Sequence, residues 1–273
     1  MKNNSRSRFL PYIWSFLLFV FVSITVLSIL VGAVFGNSSR ISAAFTGDVY
    51  VDGLYNDAHL YAQDLCLEYG IDETAADAVE KEDIRNTVNS YVNNKLKLKG
   101  DSDYQQKISD ISAKLTENAV SVAGVSSPEG EKQFEQEFSD YLTSRVEFVY
   151  IDNLRQFSDI SAKASVCGVV AGALLCAASV AALIKVCGGR RRCAVFVSDA
   201  VCASGFTTLI FTSVMMIYKS QKEFYFFPEY ISQAVTKYVA DCLYINLAAG
   251  AGLVVLSVII ALAARLTGKN AKG

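Results

Sequence analysis

Hydrophobic positions along the chain gather into four long runs separated by polar sequence: Phe9 to Phe35, Ala164 to Val186, Cys193 to Tyr218, and Leu243 to Leu266. About 20 apolar residues span a bilayer core as a helix, and each run reaches that length. Between the first and second runs the pattern changes to helical periodicity with a polar opposite face. Leu54, Ala58, Tyr61, Leu65 and Tyr69 align over Val49 to Tyr69, which Gly70 ends. Val79, Ile84, Val88, Tyr91, Val92 and Leu96 mark a second helix, and Tyr104, Ile108, Ile111, Leu115 and Val122 a third. Ser127-Pro128-Glu129 is a helix start: serine caps, proline fits the first turn, and glutamate suits the positive end of the helix dipole. Phe134, Phe138, Tyr141, Leu142, Arg145 and Val149 follow it, and this helix is read as running on into the second apolar run through Leu154, Phe157 and Ile160.

The predicted fold is therefore all-α: a polytopic membrane protein with four transmembrane helices and an extracytoplasmic helical bundle domain. The segments are a cytoplasmic tail (1–8), transmembrane helix 1 (9–35), the helical domain (36–161) and transmembrane helix 2 (162–186). A cytoplasmic turn (187–192), transmembrane helix 3 (193–218), an aromatic loop or interfacial helix (219–242), transmembrane helix 4 (243–266) and a cytoplasmic tail (267–273) complete the chain. The alternative for the first run is a cleaved signal peptide. Its length exceeds the usual 7–15-residue core of such a peptide, and no A-x-A site follows, which favours an uncleaved anchor.

Charge sets the orientation. Of the 27 acidic residues, 23 lie between Asp48 and Asp159 with only ten Lys or Arg, whereas the rest of the chain is basic. Arg190, Arg191 and Arg192 each cost about 2.5–3.5 kcal/mol at a helix centre, so this turn lies outside the bilayer, and positive loops prefer the cytoplasm. Lys2, Arg6, Arg8, Arg265, Lys269 and Lys272 then fall on the same side, making both termini cytoplasmic. Lys219, Lys222 and Lys237 lie on the other side and weaken the bias without reversing it. The short loops and the polar composition of the outer region point to a bacterial plasma membrane. The basic residues are accounted for by topology, so no nucleic-acid partner is expected.

Chemistry is sparse. The single histidine, His59, has no second histidine or cysteine cluster to make a metal site. No P-loop, dinucleotide fingerprint or G-x-S-x-G elbow occurs, so neither a cofactor nor an enzymatic activity is expected. Seven cysteines form no C-x-x-C pair; the one disulfide considered joins Cys66 to Cys242. Asp199 is an acid inside an apolar run, read as pairing with Arg190, Arg191, Arg192 or Lys185, with ion coupling as the alternative. Ala164, Gly168, Gly172 and Cys176 form a small-residue stripe for close helix packing, within the bundle or between copies. Phe226, Phe227 and Tyr230 sit in an aromatic segment around Pro228. It reads as an interfacial patch or a cap on the outer bundle, with a lipid or hydrophobic-ligand site as the sharper alternative.

The expected partners are the lipid bilayer and another membrane or envelope protein, or self-association. The expected role is a non-enzymatic interaction protein, scaffold or accessory subunit acting through the outer domain. A small transporter or channel component using Asp199 is one alternative. The other is a sensor, because the layout of residues 9–186 is similar to that of bacterial chemoreceptor input modules; it requires a separate output partner.

Overall fold

The computed structural model describes residues 4–123, 127–221 and 225–267. Lys2, Lys222, Phe224, Lys269 and Lys272, and with them parts of both predicted tails, lie outside the described residues. Within them the chain is helical and contains no strand. The α-helices are α1 (Asn4–Val34), α2 (Ser38–Phe45), α3 (Asp48–Glu68), α4 (Lys81–Leu96), α5 (Tyr104–Ala123), α6 (Pro128–Val146), α7 (Ile151–Cys187), α8 (Arg190–Gln221) and α9 (Glu229–Thr267), with a 3-10 turn at Glu73–Ala78. Helices α1, α7, α8 and α9 each carry a stretch long and apolar enough to cross a membrane.

The chain divides into two compact units. One, the apolar unit, comprises Met1–Asn37, Ser158–Glu223 and Val239–Gly273. The other, the polar unit, comprises Ser38–Phe157 together with Phe224–Tyr238. The aromatic segment thus groups with the helical domain, as its reading as a cap on that bundle expects.

The apolar unit is built inside out. Its large side chains, among them Leu174, Ile210, Val214, Val258 and Ile259, are exposed. Its buried positions include Ser165, Ser179, Ser198, Ser204, Thr212 and Ser257. Small residues let the backbones close up. A Cβ on Gly168 would collide with the Ser28 hydroxyl, and one on Gly172 with Thr25, so the stripe on α7 is filled by α1. Likewise a Cβ on Gly205 of α8 would lie 2.9 Å from the Gly250 carbonyl of α9. Hydroxyls add polar links: Ser23 to Ser204 at 2.9 Å, Ser15 Oγ to the Phe196 carbonyl at 3.1 Å, and Ser198 Oγ to the Ser257 carbonyl at 2.8 Å.

The polar unit has an ordinary core. Leu54, Ala58 and Leu65 of α3, Ile84 and Val88 of α4, Ile108 and Leu115 of α5, and Phe134, Phe138 and Leu142 of α6 are all buried. The Ser127 side chain accepts the Gly130 N–H at 3.2 Å, capping α6. That helix does not run on into α7: it stops at Val146, and α7 begins at Ile151. The Tyr91 hydroxyl donates to the Phe148 carbonyl at 3.1 Å and the Tyr104 hydroxyl to Glu147 Oε1 at 2.8 Å, while Phe148 packs on Phe45. The break lets Val146, Phe148 and Ile151 all turn inward, which one straight helix does not allow.

Surface ion pairs link helices around this core, Arg85 to Asp48 at 2.8 Å and Lys114 to Asp83 at 2.7 Å, and Lys107 of α5 holds Asp101 of the preceding loop at 2.9 Å. The hydrogen bond from Arg85, with its charge, holds the Asp48 carboxyl below its ordinary value. Lys107 does the same for Asp101, and Thr74 for Asp72.

Two outcomes follow. Gly168→Leu forces α1 and α7 apart and lowers the thermal midpoint of the purified protein, at a cost of about 1–3 kcal/mol. Gly252→Ala, at a position with no neighbour within 4 Å, leaves the midpoint in place. For the three carboxylates the folded pKa is depressed, so their contribution is complete above the ordinary value of 3.8 and disappears as pH falls through the lowered folded values. The melting of the polar unit is then flat from pH 7 to pH 5 and declines below pH 4. Asp48→Asn makes that decline shallower, which circular dichroism melts at stepped pH check.

Candidate functional site

The segment after α8 folds back onto the first turn of α9. The Phe226 N–H donates to Ser232 Oγ at 2.6 Å, that hydroxyl donates back to the Phe226 carbonyl at 3.0 Å, and the Ile231 N–H reaches the Pro228 carbonyl at 3.1 Å. This closure sends successive aromatics in opposite directions. Tyr225 and Phe227 are each 87% exposed, whereas Tyr230 is only 6% exposed. Tyr230, Ile231 and Ala234 enter the core of the polar unit, one helical face at spacing i, i+1, i+4.

Tyr230 is thus not part of a surface patch. Its ring meets Tyr50 edge-on at 5.2 Å, and Gly53 leaves the room, since a Cβ there would collide with the tyrosine. Tyr50 packs edge-on against Phe45 at 5.6 Å, and Phe45 against Phe148 at 5.1 Å. Of the two expectations for the aromatic segment, interfacial patch and cap on the helical bundle, Tyr230 follows the second and ends a continuous aromatic row. The visible signal was Ile231 and Val235 at a helical step just after Tyr230. The Tyr230 hydroxyl is buried without a hydrogen-bond partner.

At the rim, Arg145 organises the surface. Its Nε lies 3.2 Å from Asp57 Oδ2, and its guanidinium lies 5.1 Å from the Tyr141 ring centre and 5.7 Å from that of Phe227. Tyr61 stacks on Tyr141 at 3.6 Å with the planes 4° apart. Phe227, Arg145, Tyr141 and Tyr61 therefore form a row of cation and π faces, a constellation suited to stacking and to charge-assisted hydrogen bonding rather than to bond-breaking chemistry.

The other sequence candidates are scattered. Asp199 lies on the exposed face of α8, and no ion pair involves it among the described residues. Its expected pairing with Arg190, Arg191, Arg192 or Lys185 does not form. The three arginines belong to the first turns of α8 rather than to a loop, the turn being only Gly188-Gly189. At about 100° and 1.5 Å per residue, Arg190 is on the opposite face from Asp199, and Arg192 is on the same face but roughly 10 Å away along the axis. Cys66 is a free thiol buried in the core of the polar unit, so the bridge to Cys242 is not formed, and burial pushes that thiol's pKa up.

His59 stacks on Tyr55 at 5.5 Å, with Nε2 at 3.8 Å from Asp77 Oδ1. Among the described residues, no group of three or more His, Cys, Asp or Glu side chains is placed to hold a metal. An open cleft of about 470 Å³ is lined by Asp77, Glu80, Lys114, Glu117 and Asn118. Lys114 binds Asp83, and the Asn118 amide donates to the Ala75 carbonyl at 2.9 Å.

The aromatic row makes a specific expectation. Tyr230→Phe removes a buried hydroxyl that has no partner and leaves the stability unchanged or raises it by about 1 kcal/mol. Tyr230→Ala empties the end of the row and costs about 3–5 kcal/mol. Thermal unfolding of the full-length protein in detergent separates these, and a Phe variant that melts markedly lower shows that the hydroxyl is bonded in solution.

A scan against family models finds no match to this chain, and searches of curated proteins and of solved structures find no similar protein.

Proposed function

We propose that this is a four-pass membrane protein of non-enzymatic role, acting as a scaffold or accessory subunit through its polar helical unit. In this reading both termini and the Arg190–Arg192 start of α8 are cytoplasmic, and the polar unit stands outside the plasma membrane and docks another envelope protein. The membrane assignment rests on the inverted apolar unit, because exposing many large aliphatics and burying hydroxyls is favourable only where the surroundings are themselves apolar. The orientation rests on the three arginines that open α8.

The docking role is carried by one observation: Tyr225 and Phe227 stand almost fully exposed, Phe227 against the Arg145 guanidinium, on a unit whose surface is otherwise rich in charge. Aromatic side chains with an arginine are the residues that dominate binding energy at protein interfaces. Arg145 is already oriented by Asp57 and Tyr141, so little rotamer freedom remains to be lost on binding. A transport role has less support, since Asp199 faces away from the interior of the apolar unit and provides no path within one copy.

The test uses a membrane-impermeant amine crosslinker added to intact cells expressing the tagged full-length chain. The expected result is modification of lysines between Lys81 and Lys132 and a crosslinked protein of fixed stoichiometry. A Tyr225→Ser, Phe227→Ser double variant reduces that product at least tenfold without changing expression. Domain lysines that react only after permeabilisation overturn the orientation. Surface-reactive lysines with only monomers or self-linked copies overturn the docking role.

A further inference from the structure

The apolar unit contains a cavity of about 280 Å³ that the packing and docking arguments leave unexplained. It is walled by Leu30 and Val34 of α1, Phe211 and Met215 of α8, and Leu243 and Asn246 of α9. All these residues belong to one unit. The lining is apolar apart from the Cys242 thiol, the Met215 thioether and Asn246, whose Oδ1 is buried with no hydrogen-bond partner.

An unbonded amide oxygen in such surroundings costs free energy, so native structures satisfy it with protein, water or ligand. Water is a poor occupant, because a buried water needs two to four polar partners and this wall offers one strong one, Asn246, beside the weakly bonding Cys242 thiol. A charged group is excluded by the absence of any ionisable side chain of opposite sign in the lining. The volume is roughly twice that of an engineered cavity of about 150 Å³ that binds benzene, room for a single alkyl segment but not a whole phospholipid.

From these we infer that the cavity between α1, α8 and α9 is a binding site for a single-chain lipid-like molecule with a neutral hydroxyl head, of the fatty alcohol or monoacylglycerol class, whose hydroxyl bonds Asn246. A hydroxyl both donates and accepts, so it serves either end of the amide. The alkyl chain replaces the dispersion contacts that an empty cavity forfeits along Leu30, Val34, Phe211 and Leu243. The inference is independent of the docking role: no residue of the aromatic–arginine patch lines the cavity.

The experiment uses full-length protein in phosphatidylcholine nanodiscs and two ten-carbon photoreactive probes carrying a terminal diazirine, one an alcohol and the other the corresponding hydrocarbon. Labelled peptides are mapped by mass spectrometry, with unlabelled decanol as competitor. Expected is saturable labelling by the alcohol, concentrated on α1 around Leu30 and Val34 and on α9 around Leu243, and displaced by decanol. Asn246→Leu, which keeps the side-chain volume, lowers alcohol labelling there about tenfold, the order of one hydrogen bond, and leaves hydrocarbon labelling unchanged. Val34→Trp fills the cavity and abolishes both. Non-saturable labelling spread over the exposed faces of the four helices overturns the site, and this reading uses the unmodified protein alone. Equal labelling of the native protein and Asn246→Leu by the alcohol overturns the role of the amide, and with it the hydroxyl class of ligand.

Discussion

Apolar helices surrounded by hydrocarbon gain nothing by hiding their aliphatic side chains, so their association must come from close approach and from the few polar groups they carry. That constraint accounts for most of the apolar unit. Gly168 and Gly172 bring α7 onto Ser28 and Thr25 of α1, and Gly205 and Gly250 bring α8 onto α9. Once backbones are that near, hydroxyls on facing helices reach one another or a carbonyl, as Ser23 does Ser204 and Ser198 the Ser257 carbonyl. Other hydroxyls bond their own helix one turn back, Ser179 to Leu175 and Thr212 to Thr208, and so cross the apolar region without an open valence. Many large side chains, Leu174 and Ile210 among them, are left to the outside, while a smaller set that includes Leu18 and Leu183 packs within.

The polar unit answers to water instead, and its core is assembled from two separated parts of the chain. Residues 38–157 supply most of it; Tyr230, Ile231 and Ala234 arrive only after α7 and α8 have been traversed. The joint depends on a missing side chain, since Gly53 gives the Tyr230 ring its place against Tyr50. A fragment ending at residue 157 would expose the ends of that aromatic row. The same return of the chain puts Phe227 over Arg145, so the element that completes the core also creates the most exposed aromatic surface of the unit.

What could be read from sequence follows the range of each signal. Helix positions in the polar unit were legible because apolar spacing and the Ser127-Pro128 cap are local: α3, α4 and α5 lie close to where the stripes of residues put them, and α6 starts at its cap but stops at Val146, short of Val149. The four apolar runs were legible for the same reason. Partners across space were not. The stripe on α7 announces a close approach but does not name Ser28 or Thr25, which are unremarkable residues in a run of aliphatics. Nearness along the chain suggested a pairing for Asp199 that helix geometry refuses, because residues seven to nine apart stand two turns away or on opposite faces. Tyr230 looked like an interfacial aromatic because it follows four others and a proline; its burial depends on Gly53, 177 positions earlier, which no periodicity reveals.

Most buried polar atoms in the described residues have partners, so the exceptions separate structural compromise from chemical opportunity. Asp52, Asp57 and Arg145 lack ideal hydrogen-bond geometry but stand within 2.6 to 3.2 Å of an opposite charge. Three atoms remain: His59 Nδ1, the Tyr230 hydroxyl and Asn246 Oδ1. His59 is held between Tyr55 and Asp77, and its ring is placed by those neighbours. Tyr230 is enclosed by tightly packed rings, and its ring area outweighs one orphaned hydroxyl. Asn246 has neither compensation. It spends a polar group against open hydrocarbon space, where a leucine of the same volume would pack at no polar cost. An arrangement that is costly when empty and satisfied by one neutral donor on an alkyl chain is what a ligand site in an apolar medium requires.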